Sequence, residues 1–222
     1  MSNKNDELFK KWNSWIEYLD KEIMQLFSQR QMFQELQEII QQNPKIQNPS
    51  DFHYWVAVWN TTSLSLAVRR QCDNNKNVVS YRRLLEGIKS YPYVLSRTRF
   101  ISDFADYSYT QEEASEDFDK YSGAGQEFVD LSMIAQDIRE LEYESMKVKT
   151  YVDKRIAHYE KIEFKDIPSY QELYDAIEHL GQLHYKYYGL FRCWGKANLV
   201  PIKQYDWTVI FHHPWIDHSN SW

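Results

Sequence analysis

The chain has 222 residues, near the upper end for a single domain, and carries a net charge of −6 at neutral pH. A hydrophobic fraction of 43% can supply a sizeable core, and the acidic balance excludes a simple nucleic-acid-coating protein, which would be basic overall. The chain has 6 Gly and 6 Pro, too few for a sheet protein with many tight turns, so the composition favours helices.

Two features of the sequence indicate the compartment. Cys72 and Cys193 are the only cysteines, which form no disulfide framework and suit a reducing cytosol. The N-terminal residues 1–7 lack the apolar core of a signal peptide, and no apolar run approaches the roughly 20 residues of a membrane span. We therefore expect a cytoplasmic protein that does not engage a membrane.

Apolar residues in the first half recur at the three- and four-residue steps of amphipathic helices. The first helix is predicted over about residues 6–28, and the pattern resumes over 32–40, either continuing that helix or starting another. The loop that contains two Asn-Pro pairs ends it. Ser50 and Ser80 are predicted to cap the next two helices, which turn-forming residues at 73–75 separate.

The second half is less regular at its start and its end. Residues 91–124 are predicted to be irregular or only partly helical, and the strongest helix runs from about Gln126 past Tyr151. Ser169 and Glu172 fit a capping box that opens the last long helix. The tail, residues 201–222, is aromatic and is predicted to be non-helical. We expect it to pack on the helices, because it is too apolar to remain exposed to solvent.

Charge is segregated along the chain. Between Arg69 and Arg99 there are eight basic and two acidic residues, whereas between Asp103 and Glu144 there are two basic and thirteen acidic ones. A basic face can therefore exist inside an acidic protein and guide RNA by charge. The candidate nucleic-acid-binding residues are Arg69, Arg70, Arg82, Arg83 and Lys149. In the alternative interpretation, the two segments simply neutralise each other.

Most histidines show no sign of a metal site. His179 and His184 are five residues apart and miss the i,i+4 spacing that places two ligands on one helix face. His212, His213 and His218 lie in the tail without a matching carboxylate–cysteine pattern. The sequence also has no nucleotide or cofactor motif, so neither a metal ion nor a cofactor is predicted.

His158 differs from the other histidines in its neighbours. It follows Asp153, Lys154 and Arg155 at the end of the long helix. A histidine moves protons near neutral pH, and guanidinium and ammonium groups hold phosphate. Together they suffice for metal-independent RNA cleavage, in which the ribose 2′-hydroxyl is the nucleophile. Cations at a helix C-terminus are also ordinary complements of the helix dipole, so the stretch has a purely structural interpretation as well.

The stretch Asp153-Lys154-Arg155-Ile156-Ala157-His158, which closes a long helix, resembles the signature of the HEPN superfamily. Within that superfamily the chain is similar to the abortive-infection, AbiU-type branch. Residues 67–73, with paired arginines and an Asp before a polar turn, match that branch, as do residues 80–85, where Ser opens a Leu-Leu helix. The resemblance covers roughly residues 50–216.

The resemblance implies an all-α fold, a HEPN-like antiparallel helical bundle with an irregular aromatic C-terminal tail. We expect a single domain over residues 1–222, whose core covers roughly 50–192 and against which helices 6–42 and the tail 199–222 pack. It further implies a homodimer that places two signature helices at one cleft. Proteins of this kind are often RNA-cleaving toxins or antiviral effectors, so the expected partners are RNA and an antitoxin or regulatory protein.

In this stretch His158 matches the histidine of the signature and Asp153 matches its polar position, and our leading hypothesis assigns roles to four residues. His158 would be the acid/base, Arg155 and Lys154 would hold phosphate, and Asp153 would orient them. These four are the predicted catalytic residues.

The sequence departs from the family pattern at one position. The signature Arg is expected at position 151, 152 or 153, where this chain has Tyr151, Val152 and Asp153. Either a neighbouring cation supplies the charge, or the site is inactive. The rival hypothesis is therefore a non-catalytic HEPN-like module that binds RNA, a nucleotide or a partner protein.

A plainer hypothesis is a helical scaffold with the aromatic tail as its interaction surface. Trp207, Phe211, Trp215 and Trp222 would then form an exposed anchor patch. Packing of the tail on the chain's own helices is the favoured alternative.

Overall fold

The computed structural model describes residues 2–48, 50–104, 110–158, 161, 165–193 and 195–215, without the side chains of residues 2 and 3. These residues form an all-α fold, as predicted, with no β-strand among them. The α-helices in chain order are α1 Ser2–Gln42, α2 Asp51–Gln71, α3 Tyr81–Ser90, α4 Arg97–Phe104, α5 Gln111–Ser122, α6 Leu131–Tyr151 and α7 Tyr170–Arg192. Shorter segments are the 3₁₀ helices Pro92–Val94 and Trp207–His212 and the π-helical turn Val152–Ile156.

The predicted helix caps are confirmed. The Ser50 hydroxyl accepts a hydrogen bond from the His53 backbone N–H, and Ser80 begins α3 in the same way. Ser169 and Glu172 form the complete capping box at the start of α7. These side chains satisfy backbone donors that a helix leaves without partners in its first turn, so the sequence defines where the helices begin.

Several boundaries differ from the sequence-based prediction. The two N-terminal patterns belong to one unbroken helix, α1. Helix α6 begins at Leu131 rather than near Gln126, because Asp130 caps it and Gly123 and Gly125 adopt positive φ just before it. In the tail, the prediction of no helix is wrong for residues 207–212, where the Asp206 side chain accepts from the Thr208 N–H and starts a 3₁₀ turn.

The hydrophobic core is centred on α7. This helix packs against α1 and α6, and α6 in turn packs against α2 and α3. Ile16, Leu19 and Ile23 of α1 are fully buried in the same core as the later helices. The N-terminal helix is therefore an integral part of the core. Among the described residues, no helix combines the length and the apolar character needed to cross a bilayer.

The tail contacts α1 and α2 through a few aromatic side chains. The Trp207 indole N–H donates to Glu35 at 2.8 Å, and the Trp215 ring meets Phe52 edge to face at 6.3 Å. Most of residues 201–215 stay exposed. Residues 216–222, including His218 and Trp222, lie outside the described part of the chain.

Gly181 provides a test of the contact between α7 and α1. A Cβ atom there would lie 2.5 Å from Phe27 Cζ and 2.9 Å from Leu199 Cδ1, two buried side chains. We expect Gly181→Ala to lower the free energy of unfolding by about 1–3 kcal/mol because of overpacking. In thermal denaturation each kcal/mol corresponds to a loss of about 2–4 °C in Tm.

Gly195→Ala is the matched control, because nothing lies within 4 Å of a Cβ at that position. It should leave Tm unchanged or raise it slightly, since alanine restricts the unfolded chain. Equal losses in the two variants would contradict close packing at Gly181.

Candidate functional site

An ion pair joins the two sequence stretches that carry the family resemblance. Arg69, in the last turn of α2, donates from Nε to Asp153 Oδ1 at 3.0 Å, although the two residues are 84 apart in sequence. The same guanidinium donates from Nη1 to Asp73 Oδ2 at 2.8 Å. On the other side of Asp153, Lys149 Nζ lies 3.6 Å from Oδ2. We call Arg69, Asp73, Lys149 and Asp153 the 69/153 cluster.

The 69/153 cluster pairs two cations with two carboxylates, and its side chains are partly exposed. The hydrogen bond to Asp153 is the main cause that raises the pKa of Arg69 above its ordinary value, so the guanidinium keeps its charge. The Asn75 backbone N–H, followed by Arg69, lowers the pKa of Asp73. Arg69 Nη2 donates to no other residue in the described part of the chain, so one edge of this guanidinium is available for an anion.

The hydrogen-bond pattern changes after the end of α6, where the stretch that resembles the HEPN signature begins. The Ala157 N–H donates to Val152 O at 2.8 Å, an i→i+5 bond, and residues 152–156 form a π-helical turn. Such turns are rare and occur frequently at functional sites. The wider turn rotates the residues that follow relative to α6. Asp153 lies within it, and His158 follows two residues after its end at Ile156.

Val152 occupies one of the positions where the family signature has its arginine. Its side chain is 1% exposed and packs in the protein interior. An arginine there would have to bury its charge, which is costly without a paired carboxylate. Position 152 therefore does not carry the cation that the signature would have there. Arg69 from α2 instead places a guanidinium beside the next residue, Asp153.

The remaining predicted catalytic residues lie on or just after the π turn. Lys154 and Arg155 are half-buried, and His158 is exposed. In the described part of the chain, the His158 ring makes no hydrogen bond, so it is accessible to a ligand. Asp153 thus contacts Arg69 and Lys149 directly. His158 is near Asp153 because it follows five residues later in the sequence.

The other predicted nucleic-acid-binding arginines are largely engaged with carboxylates. Arg70 pairs with Glu22 at 2.9 Å, and Arg82 pairs with Glu86 at 2.9 Å and Glu142 at 3.2 Å. Because Glu142 belongs to the acidic segment, Arg82 fits the alternative in which the two segments neutralise each other. The same holds for the buried Arg97 and its partner Asp119. Arg83 is half-buried, with no hydrogen-bond partner for its Nε.

No metal centre is evident in the described residues, where no three His, Cys, Asp or Glu side chains are close enough to hold an ion. The 69/153 cluster also lacks the set of oxygen or nitrogen ligands that a divalent cation needs. The chemistry that this arrangement can support is anion binding and proton transfer by side chains.

A buried polar network is the feature that the sequence analysis missed. His184 of α7 has no exposed surface; its Nδ1 is hydrogen-bonded to the Tyr81 hydroxyl and its Nε2 lies 2.9 Å from Asp20 Oδ1. Lys196 also donates to Asp20. Since an ionised carboxylate only accepts, Nε2 carries the proton and Nδ1 accepts from Tyr81. The signal in the sequence was the i,i+3 and i,i+4 spacing of apolar residues around position 184. This spacing indicates that the position is buried, but it does not indicate which residues it contacts.

The network ties three helices together rather than lining a site. Burial raises the pKa of Tyr81 well above its ordinary value and lowers that of His184, so both are neutral near pH 7. Tyr81, His184 and Asp20 come from α3, α7 and α1. None of the described surface pockets is lined by Tyr81 or His184.

Comparisons with family models, with curated proteins and with solved structures find no match to this chain. The interpretation of the 69/153 cluster and of His158 therefore depends on their geometry and on the motif resemblance.

The buried His184 predicts a pH dependence of stability. Its folded-state pKa is lowered, so the unfolded chain takes up a proton that the folded chain does not when the pH falls below about 6.5. The stability that neutral His184 contributes is fully present above that pH and is lost progressively as the pH falls toward its folded-state pKa. We expect chemical denaturation to show a larger loss between about pH 7.5 and pH 5.5 in the wild type than in His184→Gln.

His213→Gln serves as the control, because this histidine is exposed. It should keep the wild-type pH dependence, while His184→Gln should also be less stable at pH 7 by about 1–3 kcal/mol through the loss of buried hydrogen bonds. Identical pH profiles for the wild type and His184→Gln would refute this role of His184.

Proposed function

We propose that the protein is a HEPN-type, metal-independent ribonuclease or ribonuclease-like effector of prokaryotic antiviral defence or toxin–antitoxin biology. The observation that carries this proposal is the ion pair between Arg69 and Asp153, which lies on a π turn that ends two residues before the exposed His158. It supports a phosphate-binding cation beside the signature even though Val152 takes the place of the signature arginine. The proposed setting is the cytoplasm, and the proposed assembly is a homodimer.

In the proposed reaction, the ribose 2′-hydroxyl attacks the adjacent phosphorus and the bond to the 5′-oxygen breaks. The products are a 2′,3′-cyclic phosphate and a free 5′-hydroxyl. One base takes the 2′-hydroxyl proton and one acid protonates the leaving oxygen. His158 fits these roles because it is exposed and an imidazole can both accept and donate a proton. Dimerisation would bring a second copy of His158 to the same cleft, so that two histidines could divide the two proton transfers.

The cations have a separate role, which is to stabilise the charge that builds up on the phosphoryl oxygens. Arg69 is held on two sides by carboxylates, so its guanidinium is oriented before substrate binds. Lys154 and Arg155 are the proposed phosphate ligands on the π turn itself. Asp153 keeps Arg69 and Lys149 in place and is a positioning residue in this scheme.

One observation favours the second candidate, a non-catalytic module that binds RNA, a nucleotide or a partner protein. Val152 is buried at a signature-arginine position, and Arg69 shares its charge between Asp73 and Asp153. Loss of a preorganised donor in other enzymes costs a factor of about 10²–10³ in turnover. A protein with this arrangement could bind an RNA phosphate without cleaving it.

The test is cleavage of single-stranded RNA by purified protein in the presence of EDTA. We expect cleavage with 2′,3′-cyclic phosphate ends, and a loss of about 10²–10⁴-fold in rate for His158→Ala, the usual contribution of a general acid or base. His213→Ala, a change at another exposed histidine, should cleave like the wild type.

The same variants separate the two candidates. If the wild type and His158→Ala are equally inert on RNA and equally harmless when expressed in cells, the ribonuclease proposal fails. If the protein is a binding module, His158→Ala should change the mass measured by light scattering, because dimerisation is weakened, or should bind RNA more weakly. Neither the wild type nor the variant would then cleave RNA.

A further inference from the structure

One face of α6 leads directly into the 69/153 cluster. Residues 139, 142, 143, 146, 149 and 150 share this face, since their spacing keeps them within about a third of the helix circumference at 3.6 residues per turn. They line a surface groove of about 410 Å³ together with Cys72, the residue that follows α2. Asp153 continues the same face beyond the end of α6.

The groove combines an aromatic ring with cations in a way that core packing does not require. Tyr143 is 73% exposed, and Met146, one turn further along, is also exposed. Arg139 and Lys149 are exposed on either side of them. Among the described residues that line the groove, one carries a carboxylate, Glu142, and it is paired with Arg82 at 3.2 Å. A surface with a free ring face between two cations is complementary to a base flanked by phosphates.

We propose that this groove binds a short single-stranded segment of RNA next to the cleaved bond, with a base stacked on Tyr143 and the neighbouring phosphates at Arg139 and Lys149. This inference rests on the proposed function and names the substrate as single-stranded. Along α6, Tyr143 lies about 15 Å before Asp153 at a rise of 1.5 Å per residue. A few nucleotides of a single strand span that distance. The strand therefore runs from the Tyr143 ring to the Arg69 guanidinium.

A duplex does not fit this arrangement. Its bases are stacked on one another, so none is available for the Tyr143 ring, whereas single strands gain affinity from each base that stacks on an aromatic side chain. Arg139 and Lys149 contribute to affinity through phosphates, without sequence preference. The groove should thus select unpaired RNA over paired RNA, and tolerate many sequences.

The experiment measures binding separately from cleavage. The probe is a fluorescent single-stranded oligonucleotide of about ten residues with 2′-O-methyl sugars, within the range of known single-strand site sizes. It lacks the 2′-hydroxyl nucleophile and cannot be cut by the proposed reaction. Fluorescence anisotropy is recorded with the full-length protein over a series of salt concentrations.

Tyr143→Ala should weaken binding by about 5- to 150-fold, the range measured for the loss of one stacking platform. Tyr143→Phe keeps the ring and should bind like the wild type. Tyr54→Ala is the matched control, because Tyr54 is also 73% exposed on a helix but lies near the start of α2, far along it from Arg69. It should leave the affinity unchanged.

The salt dependence distinguishes a phosphate contact from a stacking contact. Arg139→Gln should reduce the slope of log K against log salt by about 0.7, as expected for one phosphate contact on a single strand. Tyr143→Ala should leave that slope unchanged. A duplex of the same sequence should bind more weakly than the single strand.

The outcomes separate this inference from the proposed function. No binding by the wild type, equal affinities for Tyr143→Ala and Tyr54→Ala, or tighter binding of the duplex would each overturn the groove, even if RNA is cleaved. Loss of binding in Tyr143→Ala, with no cleavage of ordinary RNA by the wild type, would support the groove and refute the ribonuclease.

Discussion

The burial of His184 is the constraint on which the geometry of the site depends. A polar ring with no exposed surface must satisfy both nitrogens inside the protein, and here the partners are Tyr81 and Asp20. Tyr81 is the first residue of α3, so this contact fixes where α3 begins relative to α7. Ser80, directly before it, donates to the Asp73 carbonyl and closes the turn from α2. Asp73 in turn holds Arg69 against Asp153.

The energetic weights of these contacts differ. His184 and Tyr81 have no exposed surface, and a hydrogen bond left unmade at such a buried group costs about 1–3 kcal/mol. The pair between Arg69 and Asp153 is about one-third exposed, and such pairs are worth roughly 0–1 kcal/mol. The ion pair therefore orients side chains more than it stabilises the fold. This suits a proposed site whose charges must be available to a substrate.

The basic and acidic segments of the sequence are only partly separated in the folded protein. Arg82 and Arg97 meet carboxylates of the acidic segment, so part of the basic segment is neutralised inside the molecule. Arg139 and Lys149 belong to or border the acidic segment, yet they line the exposed groove of α6. The proposed RNA path thus follows α6 and the end of α2, rather than a face made by the basic segment alone. Net charge did not reveal this, because pairing depends on which helices are neighbours.

The sequence by itself determined the all-α class and the starts of several helices, since capping side chains and apolar periodicity act within a few residues of the backbone they satisfy. Ser50, Ser80 and the Ser169–Glu172 box could be identified for that reason. It also singled out residues 151–158, but not how they are arranged. Only the tertiary structure decided that Val152 is buried, that residues 152–156 form a π turn and that Arg69 lies beside Asp153. A contact between residues 84 apart depends on how α2 packs against α6, and no local pattern encodes that packing.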